Sequence, residues 1–250
     1  MPGSRYDRQV ALPGFGLVAQ DRLRHSTALV VGAGGLGCPA IAYLAGAGCN
    51  LTIVDHDRVS RGNLHRQVLY RDFDVGRPKA ELAAAFARRL NTDITATPIV
   101  DRLTAETAES LVAGAGVVLD CSDNWTTRYL LNRVCVGLGV PYVWAAIGGT
   151  AGRCSVVADG SPCFECVTGP ARGDGSSRSA PRATFGPTCG MLGALQAGQA
   201  VAVLAGLDRL LAGRLANIDL ATGEMAVIDV RHDPLCTTCG QPICINPIMP

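Results

Sequence analysis

The chain has 250 residues, 48% of them hydrophobic, with 22 Lys+Arg against 21 Asp+Glu, 30 Gly and 11 Cys. That length suffices for one large domain or two small ones with a buried core. A formal net charge of +1 removes the electrostatic case for nonspecific binding to nucleic acid or a membrane surface, so any anion must be gripped locally.

Met1 to Gln9 is polar and charged, unlike a secretory signal, so a reducing cytoplasm is the expected compartment. His25 to Val54 lacks Asp, Glu, Lys and Arg, yet six glycines, Pro39 and Asn50 divide it into strand, turn, helix and strand rather than a membrane span. Strand-like runs follow at Ala28–Val31, Leu51–Val54, Ile94–Val100, Val117–Leu119 and Tyr142–Ala145. Helical patterns lie between them at Gly37–Ala47, Pro78–Leu90, Ala105–Ala113 and Trp125–Leu138. This alternation predicts an α/β, doubly wound, Rossmann-like fold with a mainly parallel sheet, its nucleotide-binding half spanning about residues 1–150.

Beyond Thr150 the pattern changes to short strand candidates, Cys154–Val157 and then Cys163-Phe-Glu-Cys166. A Gly/Ser/Arg/Pro loop at about 169–183 leads to a helix over Gly190–Ala212 and strands at Leu215–Leu220 and Glu224–Val230. The expectation is one domain over residues 1–250, with a crossover loop and a stapled C-terminal part over about 151–250.

Gly32-Ala-Gly34-Gly35-Leu-Gly37 follows the first strand and opens the first helix, the pattern of a phosphate-binding turn. Asp55 ends the next strand, where a carboxylate meets ribose hydroxyls, with Asp57 two residues on. Asn63, Arg66, Gln67 and Lys79 crowd behind that strand end. Such added cations suit a triphosphate whose pyrophosphate must leave, rather than a hydride-transfer cofactor already served by the glycine turn. Lys79 is also the only lysine in the chain, at a helix start where its charge opposes the helix dipole. Asp123, after another strand, reads either as a Mg²⁺ ligand or as the helix N-cap, a role open equally to Ser122 and Asn124.

Cys163-x-x-Cys166 and Cys236-x-x-Cys239 have the form of a closed Cys₄ zinc site, against the alternative of a redox dithiol; Cys244 is a possible competing ligand. Cys49 and Cys135 read as small core residues. His25, His56, His65 and His232 read as packing or solvent-facing groups.

In order and spacing these motifs, together with Arg5-Tyr-Asp-Arg8-Gln9 and Gly190-Met-Leu-Gly193-Ala-Leu-Gln196-Ala197, resemble the ThiF/MoeB/HesA family, bacterial relatives of ubiquitin-activating enzymes. The resemblance implies a homodimer that binds Mg–ATP and adenylates the C-terminal glycine of a small ubiquitin-like sulfur-carrier protein. It implies Asp55 on the ribose, Arg66 and Lys79 on the phosphates, Asp123 at the metal, and Asn63 and Gln67 assisting. Arg8 would be an arginine finger for the neighbouring subunit's site. Relatives carry a loop cysteine near the position of Ser179. Its absence implies an acyl-adenylate attacked by a separate sulfur donor, with Cys189 the other candidate nucleophile. Two competing readings are an NAD-dependent oxidoreductase with structural zinc and a non-catalytic relative that binds a ubiquitin-like protein.

Overall fold

The structure is a computed structural model describing residues 3–170, 183–207 and 211–240. Helices α1 (Asp7–Val10) and α2 (Gly16–Arg24) precede β1 (Thr27–Val31). There follow α3 (Gly37–Ala47), β2 (Asn50–Val54), α4 (Lys79–Leu90), β3 (Ala96–Ile99), α5 (Ala105–Ala113), β4 (Val117–Asp120), α6 (Trp125–Leu138) and β5 (Tyr142–Gly148). The chain continues through β6 (Ala151–Val157), α7 (Phe164–Thr168), α8 (Gly186–Ala205), β7 (Arg214–Asp219) and β8 (Glu224–Asp229).

The strands form one sheet in the order β3-β2-β1-β4-β5-β6-β7-β8. The β3-β2-β1-β4-β5 pairings are parallel and those from β5 to β8 antiparallel. The order reverses between β1 and β4, so a crevice opens at the carboxyl edge there, the place where ligands of open α/β sheets collect. β1 and β4 are buried on both faces, which explains their uninterrupted Val/Leu runs. One core layer packs Ile41, Leu44, Ala83 and Leu192 against the sheet, and the other packs Leu131, Tyr142, Trp144 and Phe164.

Several elements differ from the sequence expectation. The long helix runs Gly186–Ala205 rather than Gly190–Ala212, because Pro187 is tolerated in a first turn and Gly206, at φ +72°, ends it. The segment around Cys163-Phe-Glu-Cys166 forms the short helix α7, not a strand. The edge strand β3 is shorter than Ile94–Val100 and carries Pro98, a residue without an N–H that edge strands tolerate.

Among the described residues α8 is the one helix long and apolar enough to cross a membrane. It packs instead into the protein, with Leu192, Gly193, Gln196, Ala197 and Ala200 buried. A Cβ on Gly193 would collide with the Leu36 carbonyl and the Pro39 ring, so this glycine lets α8 and α3 approach closely.

Candidate functional site

The glycine turn lies at the carboxyl edge of β1, as its position in the sequence predicts. Gly32 has φ +97°, and a Cβ there would sit 2.7 Å from the Cys121 carbonyl oxygen at the end of β4. A Cβ on Gly37 would strike the Gly32 carbonyl, and one on Gly35 would come within 2.8 Å of Cys189 Sγ. Both requirements arise from close packing, while Gly34 faces open space apart from Gln67 Nε2 at 3.5 Å. Asp55, 8% exposed, fixes the turn: its Oδ2 accepts the Ala33 N–H at 2.6 Å and its Oδ1 the Asp57 N–H at 2.7 Å. Tyr70 holds the other side, donating its hydroxyl to the Ala33 carbonyl at 2.7 Å.

Lys79 is the first residue of α4 and is 4% exposed. Its location at a helix N-terminus is resolved by Asp57, whose Oδ2 accepts from Lys79 Nζ at 2.9 Å. Burial alone would raise the Asp57 carboxyl, but the Lys79 hydrogen bond and charge, with His56 and Arg102, hold it below the usual carboxylate range. The half-exposed carboxylate thus gives the buried amine a hydrogen-bonded partner and fixes it in place.

Arg66 is half-buried, its Nη1 2.8 Å from His65 Nε2 and 3.3 Å from the Gly62 carbonyl. Asn63 ends a 3-10 turn, its carbonyl accepting the Arg66 and Gln67 N–H groups. Gln67 is buried beside Gly34, and its Oε1 has no partner among the described residues. An orphaned buried acceptor against an open glycine turn fits a bound polar ligand.

The ambiguity at Ser122-Asp123-Asn124 resolves cleanly. Asn124 is the N-cap of α6, its Oδ1 accepting the Thr127 N–H at 2.9 Å. Asp123 is exposed and free of the capping role. The turn carrying it is braced by groups to which the sequence reading gave no role. Asp120 Oδ1 accepts from the Ser122 N–H and hydroxyl at 2.9 and 2.6 Å, and its Oδ2 accepts from the Tyr142 hydroxyl at 2.7 Å. Arg128, 6% exposed, donates to the Ser122 and Ala145 carbonyls at 2.7 and 2.6 Å. Gln196 Nε2 reaches the Asp120 carbonyl at 2.8 Å. Polar residues at helical spacing within otherwise apolar segments were the sequence signal for Arg128 and Gln196.

Arg8 sits far from this cluster. Its helix is anchored near the C-terminal ends of α3 and α4, where Gln9 and Gln20 donate to the Ala47 carbonyl and Asn91 donates to the Tyr6 hydroxyl. Lys79 opens α4 and Leu90 closes it, so the helix's own length, roughly 18 Å, separates that anchorage from Lys79. Arg8 is exposed there and lies outside the site of its own chain.

Cys163, Cys166, Cys236 and Cys239 converge, their Sγ atoms all within 4.8 Å of one another. The Cys163–Cys236 and Cys166–Cys239 pairs are 3.5 and 3.4 Å apart, too long for disulfides. Four thiolates about 2.3 Å from a tetrahedral zinc lie about 3.8 Å apart, so the group is of a size to hold a metal. His232, exposed as expected, places Nε2 3.3 Å from Cys239 Sγ.

Burial pushes the Cys49 and Cys135 thiols up to about 12, in line with core roles. Cys189 is 2% exposed under the glycine turn. Burial raises its thiol above the ordinary value despite nearby Arg66, so it is poorly suited to be the nucleophile. Ser179 and Cys244 lie outside the described residues, as does most of the expected crossover loop.

Comparison with known proteins places these features in one family. The ThiF family profile matches residues 6–238. The SAMP-activating enzyme E1 of Haloferax volcanii is 41% identical over 239 residues, covering 95% of this chain and 88% of that protein. The sulfur carrier protein adenylyltransferase of Thermus thermophilus is 38% identical over 245 residues, covering 95% and 90%. The crystal structure of E. coli MccB with MccA-N7isoAsn shares the fold, with a TM-score of 0.85 at 22% identity over 96% of this chain and 75% of that one. With the glycine turn, the Asp57–Lys79 pair and three of the four clustered cysteines inside the matched region, the chain belongs to the ThiF family.

Proposed function

We propose that the protein is an adenylyltransferase that uses ATP to activate the C-terminal glycine carboxylate of a small ubiquitin-like sulfur-carrier protein, releasing pyrophosphate. The observation that carries this reading is the buried Lys79 ammonium, held by Asp57 behind the glycine turn, in a chain whose relatives are named as activating or adenylyl-transferring enzymes. In the reaction a carrier carboxylate oxygen bonds to the α-phosphorus, and the bond from that phosphorus to the bridging oxygen breaks. A carboxylate is already ionised at neutral pH, so no general base is needed. The difficulty is repulsion between the carboxylate and the triphosphate, which fixed cations relieve.

The geometry supports the roles that the family resemblance implies. Gly32, Gly34, Gly35 and Gly37 give the phosphates an approach to backbone N–H groups, and the Asp55 lone pairs left free by the turn serve the ribose hydroxyls. Arg66 and Lys79 bind the phosphates, with Asp57 orienting Lys79, while Asn63 and Gln67 complete the lining. Asp123, not needed as a cap, would hold Mg²⁺, which would shield phosphate charge. The Cys₄ group would hold zinc in a closed shell that fixes the C-terminal part to the body of a single domain. Arg8, distant from its own site, would serve that of a second copy, making the homodimer the complete enzyme. With Cys189 buried and no cysteine at Ser179, the acyl-adenylate is the product handed to a separate sulfur donor.

ATP–pyrophosphate exchange tests this reading. Exchange that depends on a small Gly-Gly-ended carrier protein supports it, and an unchanged rate in Ser179→Ala supports the account of the loop. No exchange with any such carrier, together with tight NAD binding, overturns it.

A further inference from the structure

Three polar side chains, the α6 N-cap Asn124 and Arg128 and Asn132 within the helix, are spaced four residues apart and so share one face. At the N-terminal end Asn124 caps the helix beside Asp123, and Arg128 holds the Ser122 carbonyl. Further along, Asn132, fully buried, donates from Nδ2 to Cys163 Sγ at 3.5 Å and accepts the Phe164 N–H on Oδ1 at 2.9 Å. One amide therefore touches both a cysteine of the Cys₄ group and the backbone between two of its members.

A second line of contact runs alongside. Phe164 lies between Cys163 and Cys166 in sequence, and its ring meets Trp125, Tyr129 and Trp144 at 5.9, 5.3 and 4.9 Å. Trp125 and Tyr129 stack at 6.0 Å on α6 itself. Trp125 is two residues from Asp123, so these ring contacts connect Phe164 to the start of the helix beside the aspartate.

We propose that α6 is a strut through which the Cys₄ group sets the position of Asp123, and that Asn132 is the positioning residue joining the two. The proposal rests on the reading of the Cys₄ group as a zinc site and of Asp123 as a Mg–ATP group. Its content is that the cluster acts on the reaction as well as on stability. Coupling of this kind is reciprocal for binding: if zinc sets the Asp123 turn, then Mg–ATP in the site tightens the hold on zinc.

The test measures zinc transfer from the purified protein to a chromophoric chelator, with and without saturating Mg–ATP, after metal analysis has given the zinc content. Mg–ATP should slow release by about fivefold or more. Asn132→Asp keeps the acceptor for the Phe164 N–H but replaces the N–H donor to sulfur. It should bind zinc, keep its KM for ATP, lose the Mg–ATP effect on release, and show lower kcat in exchange. An indifferent release rate in the zinc-loaded wild type overturns the coupling alone, as does an undiminished Mg–ATP effect in Asn132→Asp. Absence of zinc from the purified protein overturns the zinc reading and the strut with it. Should the variant fail to fold, tryptophan emission decides, since the chain's two tryptophans both touch Phe164. Mg–ATP should shift their emission in zinc-loaded wild type and not in zinc-stripped wild type; equal shifts overturn the proposal.

Discussion

The two ends of the sheet are built on different principles. In the parallel end, β1 and β4 are buried on both faces, so hydrophobic burial fixes each strand in its register. At the antiparallel end every residue of β8 is exposed, including Met225, Val227 and Ile228. That end relies on strand pairing and on Leu215, Ala216 and Ile218 of β7, and the four cysteines of two distant segments converge on the same side. The comparison teaches where the protein can place function: burial surrounds the glycine turn, whereas the far end ends in an exposed strand beside a cysteine group of a size to hold a metal.

The largest expected effect lies in the rigid end. Lys79→Arg should lower ATP–pyrophosphate exchange by about 100-fold or more, because a guanidinium does not fit the buried contact made by Nζ to Asp57. An unchanged rate would remove Lys79 from the mechanism. Next come packing effects there: Leu29→Ala, fully buried in β1, should cost about 2–5 kcal/mol in urea unfolding. A comparable loss from Ile228→Ala, on the exposed β8, would break the contrast. Removing metal with a chelator should raise hydrogen exchange in β7 and β8 while leaving β1, β2 and β4 protected. Uniform deprotection would show that the two ends unfold as one.

The smallest effect is a pH dependence. The Asp57 carboxyl is lowered in the folded protein, so its contribution to stability is present above the unfolded value near 4 and is lost as pH falls through the folded one. Asp57→Asn should flatten the acid side of the stability profile below about pH 4, read as a shallower fall of the melting temperature between about pH 4 and 2. An unchanged slope would mean that the Lys79 pair contributes nothing there.

Local chemistry explains which features were legible in the residues. A glycine turn after an apolar strand, a lysine after Gly-Arg-Pro and two Cys-x-x-Cys motifs are short patterns whose physical demands lie within a few neighbours. Gly186-Pro-Thr-Cys189 reads as the entry to a helix over Gly190–Ala212, and packing draws it into the first turn of α8. Here Gly186 lies against the His65 carbonyl and Cys189 against Gly35, contacts between segments more than a hundred residues apart. Likewise, Ser122, Asp123 and Asn124 are equivalent as caps in isolation, and only the path of the chain selected Asn124.

By itself, then, the sequence determined the alternation of strands and helices, the turn that leaves backbone N–H groups open, and the presence of four cysteines in metal-binding spacing. Periodicity and turn chemistry are properties of contiguous residues. Tertiary structure alone decided that Asp57 pairs with the only lysine, that Arg8 stands away from the glycine turn and Lys79, and that Asn132 touches both Cys163 and the Phe164 backbone. Each of these depends on distances across the fold, which no local pattern encodes.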